Sequence, residues 1–309
     1  MSGARVAIIG ARRVRQGLGP FVARHLGELG ASVPCFLAAH PDALPETERA
    51  LSARGYTDLR RMLESEKLDA LAVLSPSESH ERYLEAALAA GLHALCEKPL
   101  LWDGGRLAER SRALVERFAK AGLLLVESCQ WPYTLPAYRV LHPDLGPVEQ
   151  FAMRLSPASR EPRAMLGDSL SHPLSLLQAL APGAKPRVER IQIEAAEGSA
   201  LTIRFEYASG SACVRCELRL VSQQRPPREA GYGVNGRWAE RRIRPGDYAF
   251  HFADGAREVP VPDPLRELLR GFLAALEGTG RLPPPGPAIA ERMAMLERIL
   301  DALPIVGDP

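Results

Sequence analysis

Cys96-Glu97-Lys98-Pro99-Leu100 places a lysine between a carboxylate and a proline, directly after the short apolar run His93-Ala94-Leu95. A run of that length and character predicts a buried strand. Ligands of open α/β sheets bind outside the carboxyl ends of the strands, so Lys98 is expected at a sheet mouth. A lysine in a desolvated cleft beside another positive charge has its charged form disfavoured. It can then exchange protons near neutral pH. The plain alternative is a surface lysine at a strand end. Glu97 reads as a partner that supports Lys98 rather than as a second catalyst.

The elements that would position Lys98 follow from periodicity. Residues 5–10, Arg5-Val6-Ala7-Ile8-Ile9-Gly10, form a branched apolar run stopped by glycine, as expected of a buried parallel strand. Further strands are expected at 32–37, 68–74, 93–96 and 123–126. Helices are expected between them, beginning near Pro20, at 45–53, 58–63, 81–90 and 103–121. Strands alternating with helices make a parallel sheet covered on both faces. The pattern changes after residue 128. A short helix at 135–141 and a helix at 168–180 give way to strands at 148–155, 188–195, 201–207, 212–221, 237–243, 248–252 and 257–261. Residues 223–236, rich in proline and glycine, read as a surface loop, and helices at 264–276 and 288–303 close the chain. The expected class is therefore α/β. An N-terminal Rossmann-type doubly wound parallel sheet, residues 1–128, precedes a C-terminal α+β domain, residues 129–309, with a large open, mostly antiparallel sheet.

A dinucleotide fold usually carries Gly-x-Gly-x-x-Gly after its first strand, because glycine permits the tight turn and the close approach of backbone to pyrophosphate. Here only Gly10 stands in place, and Arg12 and Arg15 occupy the second and third positions. A longer loop is expected to present Gly17 and Gly19 to the phosphates, with Arg12, Arg13 or Arg15 supplying charge. The alternative is that these arginines are solvated and the phosphate site is lost. The second strand ends Cys35-Phe36-Leu37-Ala38-Ala39-His40, with no acid to bind an adenosine ribose. A missing carboxylate near arginines favours a 2′-phosphate, and so NADP over NAD as the cofactor.

Composition narrows the partners. A formal net charge of +2 on 309 residues gives no general reason for nucleic-acid binding. No apolar run reaches bilayer length, so no membrane partner is expected. Five widely spaced cysteines point to a reducing, cytoplasmic setting rather than a disulfide framework. Cys213 and Cys216 lie in an expected strand, where residues three apart face opposite sides, and no second pair exists. No metal site is expected.

With Glu97-Lys98-Pro99 placed after the fourth strand, the chain resembles the glucose–fructose oxidoreductase / inositol dehydrogenase / MocA-like (Gfo/Idh/MocA) family. The turn Ser75-Pro76-Ser77 with His80, the helix that ends at Gly91, and the run from His93 to Leu100 follow that family's order. The resemblance implies hydride transfer between NADP or NAD and a sugar, cyclitol or related polyol or ketone, with Lys98 as the proton carrier. It also implies that Ser75 and Pro76 run along the cofactor, and that the C-terminal sheet builds the substrate side and a homo-oligomer, a dimer or tetramer. The family's Asp and His, four residues apart on a helix, match Asp168 and His172. Spacing of four puts both on one helix face. Glu97 is grouped with the cofactor-side residues, and Gln130, Trp131 and Tyr133 are candidates to line the substrate cleft. Against the oxidoreductase stand a dinucleotide-fold protein without redox turnover, serving binding or regulation, and NAD-assisted glycoside cleavage.

Overall fold

The computed structural model describes residues 3–11, 18–196, 199–243, 250–280 and 286–304. The chain divides into two units, one of Met1–Ser128 with Leu265–Ala290, the other of Cys129–Pro264 with Glu291–Pro309.

The first unit holds β1 (Val6–Ile9), α1 (Leu18–Glu28), β2 (Cys35–Leu37), α2 (Leu44–Leu51), β3 (Arg54–Tyr56), α3 (Leu59–Ser65), β4 (Ala70–Val73), α4 (His80–Ala89), β5 (His93–Cys96), α5 (Leu107–Lys120) and β6 (Leu125–Glu127). All neighbouring strands run parallel, in the order β3-β2-β1-β4-β5-β6. The order reverses at β1, which pairs with β2 on one side and β4 on the other, so the ligand crevice of such a sheet opens there. β1 and β4 are buried at every position, which explains their unbroken apolar sequences.

Two expectations fail in this unit. The sheet has six strands, not five, because Arg54–Tyr56 is an edge strand. Its Arg54 is exposed and its Gly55 is required by packing. A Cβ there would lie 2.5 Å from Leu44 Cδ2 and 2.9 Å from the Phe36 ring. Neither feature looks like a strand in sequence. The helix expected from residue 103 begins only at Leu107, because Asp103, Gly104, Gly105 and Arg106 all have positive φ, from 48° to 80°.

The second unit contains α6 (Leu135–Leu141), β7 (Gln150–Leu155), α7 (Pro162–Ser169), α8 (Ser171–Leu180), β8 (Arg187–Ala196), β9 (Ala200–Ser209), β10 (Ala212–Val221), β11 (Ala230–Val234), β12 (Arg237–Ile243), β13 (Phe250–Ala253) and β14 (Glu258–Val261). These eight strands form one sheet in the order β14-β13-β12-β11-β7-β10-β9-β8. Only the β7–β10 pair is parallel. One face carries the core residues Phe151, Met153, Tyr232, Ala239 and Phe252. Tyr138 stacks on Tyr232 at 4.5 Å and donates a hydrogen bond to the Arg237 carbonyl. The opposite face is charged and laced by the pairs Arg190–Glu206, Arg204–Glu194 and Arg204–Glu217. Cys213 is exposed and Cys216 buried, the alternation a strand requires.

The stretch 223–236 is not a loop throughout. β11 within it is buried at all five positions and sits between β7 and β12. Its glycines carry the strand past a tryptophan. A Cβ on Gly231 would lie 2.7 Å from the Ala239 carbonyl oxygen and 2.8 Å from the Trp238 ring, and one on Gly233 3.2 Å from that ring. The sequence cue for a turn is here a cue for close approach.

α9 (Pro264–Leu276) and α10 (Pro287–Leu300) follow the sheet. Arg266 pairs with Glu28 of α1, and Gly286 is seated so closely that an added Cβ would lie 2.5 Å from a Val115 methyl of α5. These contacts place the 265–290 segment with the first unit. No helix among the described residues is long and apolar enough to cross a membrane.

Candidate active site

At the carboxyl ends of β1, β2 and β4 lies a cleft of ≈ 970 Å³. Gly10, Ala38, Ala39, Ser75, Pro76 and Arg82 are among its lining residues. Gly10 has φ +96°, and its N–H donates to the Leu37 carbonyl of β2. A Cβ on Gly10 would meet Ser75 N at 2.5 Å and Leu74 C at 2.6 Å. Only glycine lets the turn after β1 run this close to the turn after β4. Gly19 does not lie in the loop as expected but in the first turn of α1. A Cβ there would lie 3.1 Å from Ala11 Cα. It lets the helix pack tightly on the chain leaving β1, the task of the third glycine in a dinucleotide fingerprint. Arg12, Arg13, Arg15 and Gly17 lie outside the described residues. The cation that lines the cleft among the described residues is Arg82, whose guanidinium lies 4.4 Å from the centroid of the Tyr83 ring.

The turn after β4 is tied internally. Ser75 Oγ and Ser79 Oγ are 2.7 Å apart, and Ser79 Oγ donates to the Pro76 carbonyl at 2.7 Å. His80 reaches further. It is fully buried, with Nε2 2.9 Å from the Ser75 carbonyl and Nδ1 2.9 Å from the Pro99 carbonyl. Carbonyl oxygens only accept, so both bonds form together only when both ring nitrogens carry hydrogen. Burial lowers the pKa of the ring, opposed by these carbonyls and by Glu127. His80, read in sequence as structural, therefore joins the turn that lines the cleft to the residue that follows Lys98. His80→Leu leaves both carbonyls without this partner. It should cost about 2 kcal/mol of stability, read by urea denaturation. An unchanged midpoint would rule out the link.

Lys98 leaves the end of β5. The Glu97 N–H donates to the Val73 carbonyl and the Ser128 N–H to the Cys96 carbonyl, so the backbone on either side of this end is held by the flanking strands β4 and β6. The Lys98–Pro99 peptide is cis. The Leu100 N–H donates at 3.0 Å to Oε1 of Glu127, a buried carboxylate at the end of β6. Burial raises the Glu97 carboxyl to about 7, against the pull of the neighbouring Lys98 ammonium. Its Oε2 is buried with no hydrogen-bond partner among the described residues. Glu97 can thus change charge beside Lys98 near neutral pH.

A carboxyl whose folded pKa lies above its unfolded value stabilises the fold fully at pH below the unfolded value. That contribution is lost as pH rises through the folded one. For Glu97 the window runs from 4.5 to about 7. Glu97→Gln should therefore melt higher than the parent protein at pH 8, by on the order of 3 °C, and alike at pH 4.5. An equal difference at both pH values would contradict the assignment.

In the second unit, Glu161 caps α7 by accepting from the N–H groups of Arg163 and Ala164. The expected single helix from Asp168 is two successive helices, α7 ending at Ser169 and α8 starting at Ser171, with Leu170 between them still donating to Leu166 and accepting from Leu174. Pro173 has no N–H to donate to Ser169, and its ring crowds that carbonyl, which accounts for the division. Asp168, exposed, stands in the last turn of α7, and His172, partly buried, in the first turn of α8. The ring of His172 lies 6.3 Å from that of buried Trp131. Gln130 and Tyr133 are partly exposed, on either side of Trp131 in a short helical turn. The Trp131 ring also meets Tyr232 edge-on at 5.9 Å and lies under the Arg241 guanidinium at 5.9 Å. Arg241, Glu127 and Arg82 were not singled out in sequence. For Arg241 a signal existed: strand parity with buried Ala239 turns it to the core face.

Residues 4–128 match the model of the GFO_IDH_MocA oxidoreductase family, NAD-binding Rossmann fold. An inositol 2-dehydrogenase of Paracoccus denitrificans is 30% identical over 135 residues, 44% of this chain and 38% of that protein. The chain thus matches well under half the length of this relative. Among solved structures, UDP-N-acetylglucosamine 3-dehydrogenase GnnA of Acidithiobacillus ferrooxidans superposes with TM-score 0.74 at 19% identity, over 98% of both chains. The WlbA dehydrogenase of Bordetella pertussis, in complex with NADH and UDP-GlcNAcA, superposes with TM-score 0.70 at 18% identity, over 97% of this chain and 96% of that one. These two share the fold along nearly the whole length. Residues 4–128 are thus similar to the NAD-binding Rossmann domain of the Gfo/Idh/MocA oxidoreductase family.

Proposed function

We propose that the protein is an NAD(P)-dependent oxidoreductase acting on a CH–OH group of a sugar, cyclitol or related polyol, or on the corresponding ketone. The observation that carries this is the crowded Gly10–Ser75 approach at the sheet's switch point, with Lys98 leaving the end of β5 in the same sheet. The cleft fits a dinucleotide, since the turn that borders it excludes any side chain at Gly10. When bound, the nicotinamide would accept or supply the hydride. Lys98 would take the proton of the substrate hydroxyl in one direction and return it in the other. Asp168 and His172 are proposed to orient that hydroxyl or share its proton, and Gln130, Trp131 and Tyr133 to contact the substrate. Ser75, Pro76, Gly10 and Glu97 belong to the cofactor side. The end of β2 offers Ala38 and Ala39 with no carboxylate, and Arg82 lines the same cleft. Both favour NADP over NAD.

The charged open face of the second sheet holds a groove of ≈ 610 Å³ flanked by Trp238 and Arg204, and is the surface proposed for homo-oligomer formation. A cytoplasmic setting is proposed from the five free cysteines. Domain roles follow the same reading, cofactor in the first unit, substrate and self-association in the second.

Titration with NADPH and NADH, followed by quenching of tryptophan fluorescence, tests the proposal. Saturable quenching is expected, and in a separate assay reduction of NADP+ or NAD+ by at least one polyol of a panel. Absence of saturable binding by either nucleotide would overturn the oxidoreductase in favour of a non-redox protein.

A further inference from the structure

We propose that Arg241 recognises an anionic group, a carboxylate or a phosphate, on the substrate. This deepens the oxidoreductase reading and rests on it for the word substrate. Arg241 stands on the core face of β12 in register with Phe252, half-buried, with its guanidinium over the Trp131 ring. Its Nε is buried without a hydrogen-bond acceptor among the described residues. One terminal nitrogen donates at 2.6 Å to the Arg228 carbonyl, which among the described residues leaves most of the five guanidinium hydrogens unassigned. The nearby charge is of the wrong sign, since Arg228 and burial both lower the pKa of Arg241. The acids closest in sequence, Glu229 and Glu240, are held instead by Arg154 at 3.7 and 3.0 Å.

An unpaired guanidinium held largely out of water lowers stability, and a protein retains one where a ligand brings the counter-charge. The planar fork of arginine suits the two oxygens of a carboxylate or phosphate. Its place suits a substrate too. Trp131 is the common neighbour of Arg241 and His172, at 5.9 and 6.3 Å. A ligand anchored by its anion at Arg241 would pass over the indole toward the histidine. A residue kept only for packing would need neither the charge nor the empty donor.

The test is calorimetric titration of the full-length protein, without cofactor, with D-glucuronate, α-D-glucose 1-phosphate and neutral D-glucose. At least one anionic probe should bind saturably and more tightly than glucose, and which one does so tells carboxylate from phosphate. Arg241→Met should weaken that binding about 10-fold or more, Arg241→Lys less. The ligand-free Arg241→Met protein should melt at or above the parent temperature, since an uncompensated charge has been removed. Anion binding equal in Arg241→Met and parent, no preference for anions over glucose, or a lower melting temperature of Arg241→Met would each overturn the proposal. NADPH and NADH titration of the same samples separates the two readings. A parent protein that binds no dinucleotide sinks the oxidoreductase, whereas the anion titration alone decides Arg241.

Discussion

Lys98→Ala is expected to lower turnover by a factor of about 10²–10⁴, the usual worth of a positioned proton carrier, with dinucleotide affinity nearly unchanged. The split follows from where Lys98 stands. Its backbone leaves β5, while the cleft that would take the nucleotide is lined from the ends of β1, β2 and β4. Removing the side chain takes away the proposed proton carrier and leaves the lining of the cleft whole. The measurement is reduced-nicotinamide absorbance with a polyol that the parent protein oxidises, beside fluorescence titration of both proteins. Turnover within a factor of about two of the parent would show that some other group moves the proton, His172 being the first to examine. If turnover and dinucleotide binding fell together, Lys98 would instead be acting through the cofactor.

Gly10→Ala should all but abolish dinucleotide binding and destabilise the first unit by about 3 kcal/mol or more. Two effects add. At φ +96° a side chain is strained whatever the space around it, and the new Cβ would press on the backbone of Leu74 and Ser75 at 2.5–2.6 Å. No rotamer change relieves a clash with main chain. Gly91→Ala isolates the first effect. Gly91 also has positive φ, at +68°, but a Cβ there meets nothing within 4 Å. That variant should cost only about 1 kcal/mol and bind dinucleotide normally. Urea unfolding and NADPH titration of the two variants side by side provide the check. Similar losses in both would mean that the close approach of the two turns contributes little.

What could be read in the chain beforehand depended on whether a residue's own chemistry or its neighbour's decided its place. β1, β4 and β5 were legible because a strand covered on both faces must be apolar throughout. Lys98 was legible because such a strand ends immediately before it. β3 and β11 were hidden because their glycines answer to Leu44, Phe36 and Trp238, residues distant in sequence or across a strand pair. The spacing of Asp168 and His172 was plain, yet they fall in two successive helices. Pro173 was the available signal for that division. Gly19 looked like a loop glycine because its partner, Ala11, is met only once α1 has folded back on β1. Arg241 needed both strand parity and the knowledge that Arg154 had already taken the neighbouring carboxylates.

The return of Leu265–Ala290 to the first unit bears on how the protein is made. During translation the residues that build the parallel sheet emerge early, but the segment that pairs with Glu28 and packs on Val115 comes only after the whole eight-stranded sheet has been synthesised. The amino-terminal unit must therefore wait, incomplete, while the later one takes shape. A shortened chain stopped at residue 128 would carry every strand of the nucleotide fold and still lack part of its cover. Nascent chains arrested before and after residue 290 should differ sharply in protease resistance within their first 128 residues.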